Sequence, residues 1–410
     1  MSSRPTVLFL SHLLPYPPHA GAASRTYNVL RQLSLEFDVA VVMFSRLSHQ
    51  RDAAAREHSR AALEQPSIKA WPAAPIPSEH SRARRVWDHL RSVVTSRSYL
   101  HFQYHSGDFR ARLRDALSRA QPALIHIDSI DLHGWMNELP DRPTTCTHHD
   151  IESHALQRRA ERSSAPVRWY IRHQASLVER VERTLCPSFA ANLVMSPLDA
   201  ERLVAIAPGS RTVVVPNGVD VQYFQPDPDL ALDPERVVFI GSTFSHANSD
   251  AVEFLLADIW PHVRRRRPSA TLMLVGGTSA DERRRFEAIP GVRCVGRVDD
   301  IRPYVGAAAC SVAPIRVGGG TRIKILDSWA LGRAVVSTTV GCEGLQHQDR
   351  HNLLVRDDPP AFADAIVEVL RDERLRTCLG VRGRRTVDQH YSWDGVGRHL
   401  RHTYRSLIAS

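Results

Sequence analysis

Lysine is almost missing from this chain. Of its 53 lysines and arginines only Lys69 and Lys324 are lysine, so the formal charge of +9 is carried by arginine. A lysine inside a motif is therefore unlike the ordinary surface cation of this protein. No apolar run reaches the ~18–20 residues that a membrane-spanning helix needs. With 43% hydrophobic and 24% charged residues the composition is that of a globular protein. Cysteine is scattered: the six thiols at 146, 186, 294, 310, 342 and 378 form no C-x-x-C pair. That excludes a zinc framework or a disulfide scaffold and fits a reducing compartment. Met1-Ser2-Ser3-Arg4-Pro5 runs straight into the strand-like Val7–Leu10, so no signal peptide and a cytoplasmic location are expected. Helix-turn-helix, zinc-finger and stacking-aromatic patterns are absent, and Arg264–Arg267 and Arg283–Arg285 read as solvated helix faces. Nucleic acid is not an expected partner. An anionic membrane, touched peripherally from its inner face, is.

What is present is an alternation of strands and helices, running twice. At 410 residues two domains are expected. The first alternation opens with the strand Val7–Leu10, a proline-stiffened loop ending at Gly21, a helix from about Arg25 to Leu35 and the strand Val39–Phe44. A polar helix over 46–66 and mixed helical segments over 78–120 follow. Further strands read at Leu124–Ile127, Thr144–Thr147, Asn192–Ser196 and Thr212–Val215. Pro216-Asn217-Gly218-Val219-Asp220 is a turn, and the Pro/Asp stretch 225–229 is linker-like. The second alternation has strands at Val237–Ile240, Thr271–Val275, Val292–Arg297, Ala308–Ala313 and Ala334–Thr338, a helix over 247–266 and a helical tail from Ala361. Both halves read as doubly wound parallel α/β domains with a cleft between them.

The chemistry concentrates at Gly318-Gly319-Gly320-Thr321-Arg322-Ile323-Lys324-Ile325-Leu326-Asp327, between a buried strand and a helix. A strand–glycine loop–helix unit aims unpaired backbone N–H groups and the positive end of a helix dipole at one point. Arg322 and Lys324 add two full charges in the first turn, misplaced unless an anion compensates them. Asp327, one turn beyond Lys324, suits ribose hydroxyls. Together these describe a nucleoside diphosphate site. The alternative is a flexible surface loop with solvated cations. A second candidate is His148-His149-Asp150-Ile151-Glu152-Ser153, at the C-terminal end of a strand, where open sheets place ligands. A histidine there can donate to a sugar hydroxyl or carry a proton, or the cluster is a helix N-cap at Asp150 or Ser153 with incidental histidines. His101 and His105, four apart, lack a third ligand, and no metal site is expected.

On these residues the chain resembles family 4 of the retaining glycosyltransferases, which have the GT-B fold. The resemblance runs nearly end to end. It takes in Pro15-Tyr16-Pro17-Pro18 with Gly21 and Arg25, His149–Ser153, Val215–Asp220, Phe239-Ile240-Gly241, Asn248, Asp250-Ala251-Val252, Val295–Asp300, Gly318–Thr338 and Tyr391-Ser392-Trp393. It implies two Rossmann-like domains facing across a cleft: 1–220 for the acceptor, 221–385 for the nucleotide sugar, and 386–410 as a helix crossing back. It further implies that Gly241, Ser242, Gly318, Gly319, Gly320, Thr321, Arg322 and Lys324 face the diphosphate. Val298 would lie near the base, Asp327 would hold the ribose, and Gly21 and His149 would reach the donor sugar. His149, Arg322 and Lys324 are the candidate catalytic groups. The family's first motif glutamate falls on Gly319, and Asp327 stands for the second. No D-x-D motif stands beside a donor-site strand, so transfer without a metal or other cofactor is expected. The partners implied are a nucleotide-sugar donor and a glycan or lipid-linked acceptor. A non-catalytic nucleotide- or glycan-binding scaffold of the same fold is the alternative, favoured by the missing glutamate.

Overall fold

The structure is a computed structural model that describes residues 4–18, 21–50, 52–161, 163–318 and 322–409. It divides into two units, 1–216 with 396–410 and 217–395.

The first unit is built on β1 (Thr6–Ser11), β2 (Asp38–Ser45), β3 (Ile68–Ala70), β4 (Ala74–Pro75), β5 (Leu124–Ile127), β6 (Thr144–His148), β7 (Ala191–Val194) and β8 (Thr212–Val214). Their order is β3-β2-β1-β5-β6-β7-β8, with β4 beside β2, and every pairing is parallel. Helices cover both faces of such a sheet, which is why its strands are apolar runs with no alternation. Val7, Leu8, Phe9 and Leu10 are all fully buried. The second sheet is β11-β10-β9-β12-β13-β14, with β9 (Asp233–Ile240), β10 (Thr271–Val275), β11 (Val292–Gly296), β12 (Ala308–Ala313), β13 (Ala334–Ser337) and β14 (Leu354–Val355). It too is parallel throughout. In both sheets the direction of winding reverses once, between β1 and β5 in the first and between β9 and β12 in the second. Ligands of open α/β sheets bind beyond the strand ends at that reversal.

Several local expectations need correction. The helix expected over 46–66 is confined to Ala53–Ala61, because Asp52 caps it by accepting from the Ala55 N–H. The segment before it is held instead by Gln50, which donates to the Leu14 and Tyr16 carbonyls. The first helix starts at Gly21, so Gly21 is its first residue rather than part of the preceding loop. The helix over 247–266 is broken by a π turn at Leu255–Ile259, where Pro261 supplies no N–H to the regular ladder. The short strands β3, β4 and β14 carry too few residues to show a pattern. The arginine clusters are not merely solvated. Arg266 pairs with Asp364, Arg267 with Glu235 and Arg285 with Glu253.

The chain leaves and re-enters the first unit beside buried anchors. Arg25, 1% exposed, donates to the carbonyls of Val215 and Pro216. The last helix, Trp393–Ala409, rejoins that unit through Arg401 on Glu36 and Tyr404 on His126. In the second unit the two connecting segments pair with each other: Val219 N–H donates to Tyr391 O, and Trp393 N–H donates to Val219 O. Gly218 must be glycine here, since a Cβ would stand 2.7 Å from the Trp393 ring.

Candidate active site

Beyond the winding reversal of the second sheet, β9 ends in Gly241-Ser242 and β12 leads to Gly318 and the helix Ile323–Ala330. Two glycines make the approach possible. Gly276, after β10, has φ +150°, and a Cβ there would lie 2.3 Å from the Gly241 carbonyl oxygen. Gly241, at φ +151°, lies directly against the Asn248 side chain. Asn248 then joins the two loops: its amide donates to the Ser242 carbonyl at 3.0 Å, and its Oδ1 accepts from Lys324 Nζ at 2.8 Å. The Ser242 hydroxyl donates to Gly277 O. Gly318 also has positive φ, +93°, and the Arg322 guanidinium lies 3.5 Å from where its Cβ would be. Of the residues expected together, these contacts join Gly241, Ser242 and Lys324 through Asn248, and Gly318 with Arg322. Gly319, Gly320 and Thr321 lie outside the described residues.

The electrostatics differ from the expected pair of full charges. Lys324 is half-buried, with Nζ 4.2 Å from the centre of the Phe239 ring. Burial, helped by the Arg322 charge, pushes it down to about 7. Burial likewise pushes Asp327 up to about 7. Burial thus brings an amine and a carboxyl on this one helix each toward neutrality. An anion would reverse the cost of charging the amine. Val298 is half-buried and packs on the Val238, Val305 and Ala308 cluster, with Ile301 and Tyr304 beside it.

The first unit has a cluster that sequence reasoning located only in part. His149 follows β6, as expected, and its Nε2 donates to the Asp128 carbonyl at 2.6 Å. Its neighbour His148 points the other way, bonding Asn192, and burial holds it down to about 4. The N–H of Ser153 is met by Glu182, a helix-terminus partner from a distant segment. The residue not foreseen is Asp128, at the end of β5. Its Oδ2 accepts from Thr26 at 2.6 Å and from Ser11 at 3.2 Å, and lies 3.7 Å from His12 Nδ1. Its Oδ1 lies 3.5 Å from His149 Nε2 and 3.8 Å from His126 Nε2. Burial alone would raise this carboxyl. The charge of His149 and the close approach of the His126, His149 and His12 rings outweigh it and hold Asp128 well below the usual carboxylate range. Burial, then His149, keeps His12 well below the usual imidazole range. Gly21, at the exposed start of its helix, has no described contact with this cluster.

Among the described residues, His12, Asp128 and His149 are the one group of ligand-type side chains whose donor atoms lie within 4.8 Å of one another. Two imidazoles and a carboxylate could hold a divalent ion. Thr26 and Ser11 already occupy one carboxylate oxygen, whereas His12 Nδ1 and Asp128 Oδ1 are buried with no hydrogen-bond partner of their own.

Two family models match. Residues 19–223 match Glycosyltransferase Family 4, and residues 234–372 match Glycosyl transferases group 1. A phosphatidyl-myo-inositol mannosyltransferase of Mycobacterium tuberculosis is 29% identical over 250 residues, covering 57% of this chain and 64% of that protein. The match thus spans less than two thirds of the relative's length. Among solved structures, a sucrose-phosphate synthase from Thermosynechococcus elongatus superposes with a TM-score of 0.74 at 20% identity, over 99% of this chain and 100% of the other. HepE of Anabaena, in complex with UDP, gives 0.69 at 13% identity, over 98% and 100%. These likenesses, together with two parallel-sheet α/β units, establish the GT-B fold. The chain belongs to family 4 of the glycosyltransferases.

Proposed function

We propose that the protein is a retaining glycosyltransferase that moves a sugar from a nucleoside diphosphate sugar to a hydroxyl of a lipid-linked or glycan acceptor, without a metal ion. The observation that carries this reading is the junction at the reversal of the second sheet. Gly241, Ser242, Asn248 and Lys324 meet there at the N-terminal end of a helix, with Arg322 beside them. In the reaction, the bond from the anomeric carbon to the diphosphate oxygen breaks and the acceptor oxygen bonds to that carbon. The acceptor proton passes to the departing phosphate. Charge grows on the diphosphate as it leaves, so the helix terminus, Arg322 and a recharged Lys324 would stabilise the transition state. Asp327 would accept from the ribose hydroxyls. His149, held by Asp128, would contact the sugar. The matched mycobacterial relative is by name a phosphatidyl-myo-inositol mannosyltransferase. That supports a lipid-linked acceptor and a working position at the inner, cytoplasmic face of a membrane.

The test is thermal stability of wild type and Lys324→Ala with UDP, GDP, ADP and their sugars, each with and without EDTA. A ligand that binds the native state at about 100 times its Kd adds about 2.7 kcal/mol. One nucleotide should raise the melting temperature, EDTA should leave the shift intact, and the variant should lose it. Loss of the shift with EDTA would overturn metal independence and direct attention to His12, Asp128 and His149. A shift without any release of nucleoside diphosphate in the presence of acceptors would favour a binding scaffold instead.

A further inference from the structure

Amphipathic helices normally bury their apolar stripe. The helix Arg82–Thr95 does the reverse. Val86, Leu90, Val93 and Val94 recur at helical spacing, with Trp87 beside them, and all five are exposed. Trp87 is 57% exposed, Leu90 54% and Val94 83%, whereas Asp88 and Ser92 are fully buried. The inversion is not a packing accident, because the inward polar face is satisfied. Both Asp88 oxygens share the single Nε–H of Arg84, and Ser92 donates to Arg97 O while accepting from Gln174. Gln174 belongs to the helix Ala165–Leu185, which also meets Arg82–Thr95 through Tyr170 and His89. The first turns of that second helix expose Val167 and Trp169. Among the described residues thirteen large apolar side chains are exposed, and seven of them lie on these two helices. Singly exposed apolar residues are ordinary; a concentration of this kind marks a surface that is covered in use.

The charge says by what. Arg82, Arg85 and Arg97 are exposed on or next to this helix, whereas Arg84 pairs with Asp88, the helix's one acid and buried, and Arg91 lies over the Phe102 ring. Tryptophan, leucine and valine rimmed by arginine is the pattern of a helix lying in the plane of a bilayer surface. A second copy of this chain is the less suitable occupant, since a two-fold contact would press the same arginines against each other. We propose that the outward face of Arg82–Thr95, continued by Val167 and Trp169, docks the protein on the headgroup layer of an anionic bilayer. The proposal rests on the glycolipid reading above for its partner, and assigns to that partner a specific surface of the first unit.

Co-sedimentation of the full chain with phosphatidylcholine vesicles, with and without phosphatidylglycerol, tests it. Wild type should bind the phosphatidylglycerol vesicles, and added salt should weaken the binding. A triple variant, Trp87→Ser with Leu90→Gln and Val94→Thr, should lose binding by at least about tenfold. Each arginine near an anionic surface is worth about fivefold, so Arg82→Gln with Arg85→Gln should cost roughly 25-fold. An unchanged melting temperature would establish that the variants fold, since all five positions are exposed. The nucleotide-induced shift, measured on the same preparations, separates this proposal from the enzymatic one. If that shift persists while wild type stays in the supernatant with every vesicle, docking fails and the donor site stands. Equal binding to neutral vesicles, or equal binding by the triple variant, would overturn the assignment. So would a concentration-dependent dimer in sedimentation velocity that the triple variant abolishes.

Discussion

Replacing Lys324 by methionine should make the protein more stable and less able to bind a nucleotide. The folded chain holds this amine at about 7 instead of 10.5. Such a displacement opposes folding at neutral pH by up to roughly 4 kcal/mol, since one pH unit corresponds to 1.36 kcal/mol. The side chain is only half-buried and retains the Asn248 bond and the Phe239 ring. The working figure is therefore about 1–3 kcal/mol after discounting for solvent. Methionine keeps the contact with the aromatic ring but leaves Asn248 Oδ1 without its donor, a loss of roughly 1 kcal/mol. The net gain is then up to about 2 kcal/mol, which raises Tm by up to about 2 °C in a chain of this size. The sign with pH is specific. A lysine whose folded pKa is lowered penalises the fold fully below about 7, and the penalty fades as pH rises toward 10.5. The advantage of the variant should therefore shrink from about pH 7 to about pH 10. Calorimetric scans across that range read it directly, and a nucleotide titration should show affinity reduced by about tenfold to 100-fold. A variant less stable than wild type at pH 7, or a stability gap independent of pH, would refute this account of the amine.

Two further outcomes follow from the geometry. Asp128→Asn removes the charge that three histidines and two hydroxyls surround. It should destabilise the protein by about 2–4 kcal/mol and slow turnover by about tenfold or more, while the nucleotide-induced thermal shift is retained. Because this carboxyl is held below its usual range, the wild-type advantage should exist above about pH 4 and vanish in acid; normal turnover in the variant would contradict an electrostatic role of the Asp128 carboxylate beside His149, whose hydrogen bond to the Asp128 backbone carbonyl the substitution leaves in place. Gly276→Ala would drive a Cβ to 2.3 Å from the Gly241 oxygen at φ +150°. A loss of about 2–4 kcal/mol should appear as a lower urea midpoint, and an unshifted midpoint would show that the two loops do not approach so closely.

The strands were readable because parallel strands are buried on both faces and carry uninterrupted apolar runs, as Val7–Leu10 and Ala308–Ala313 do. β14, two residues long, offers no such run. Gly318, Arg322 and Lys324 were legible because a glycine loop between a strand and a helix is a local pattern. Asp128 and His12 were not, since topology joins them across 116 residues of chain, at the ends of β5 and β1. A signal did exist: each stands immediately past an apolar strand, where side chains reach the ligand side of a sheet. The Arg82–Thr95 helix shows a different limit. Periodicity reveals that a helix has two faces but not which one turns inward; Gln174, distant in sequence, decides that. The ionisation of Lys324 and Asp327 was equally invisible, because burial depends on what the rest of the chain packs around them.

The burial of Lys324 also has a chemical consequence. An amine near 7 is substantially deprotonated at neutral pH and is then a nucleophile. Lys69, the other lysine, stands over the Trp71 ring in the other unit, and every remaining side-chain cation of the chain is an arginine or a histidine. In the proposed donor site the protein thus carries one acylatable side chain against a background that has almost none. An amine-directed electrophile becomes a reporter of that one position, shielded when the anion is bound and open when it has left.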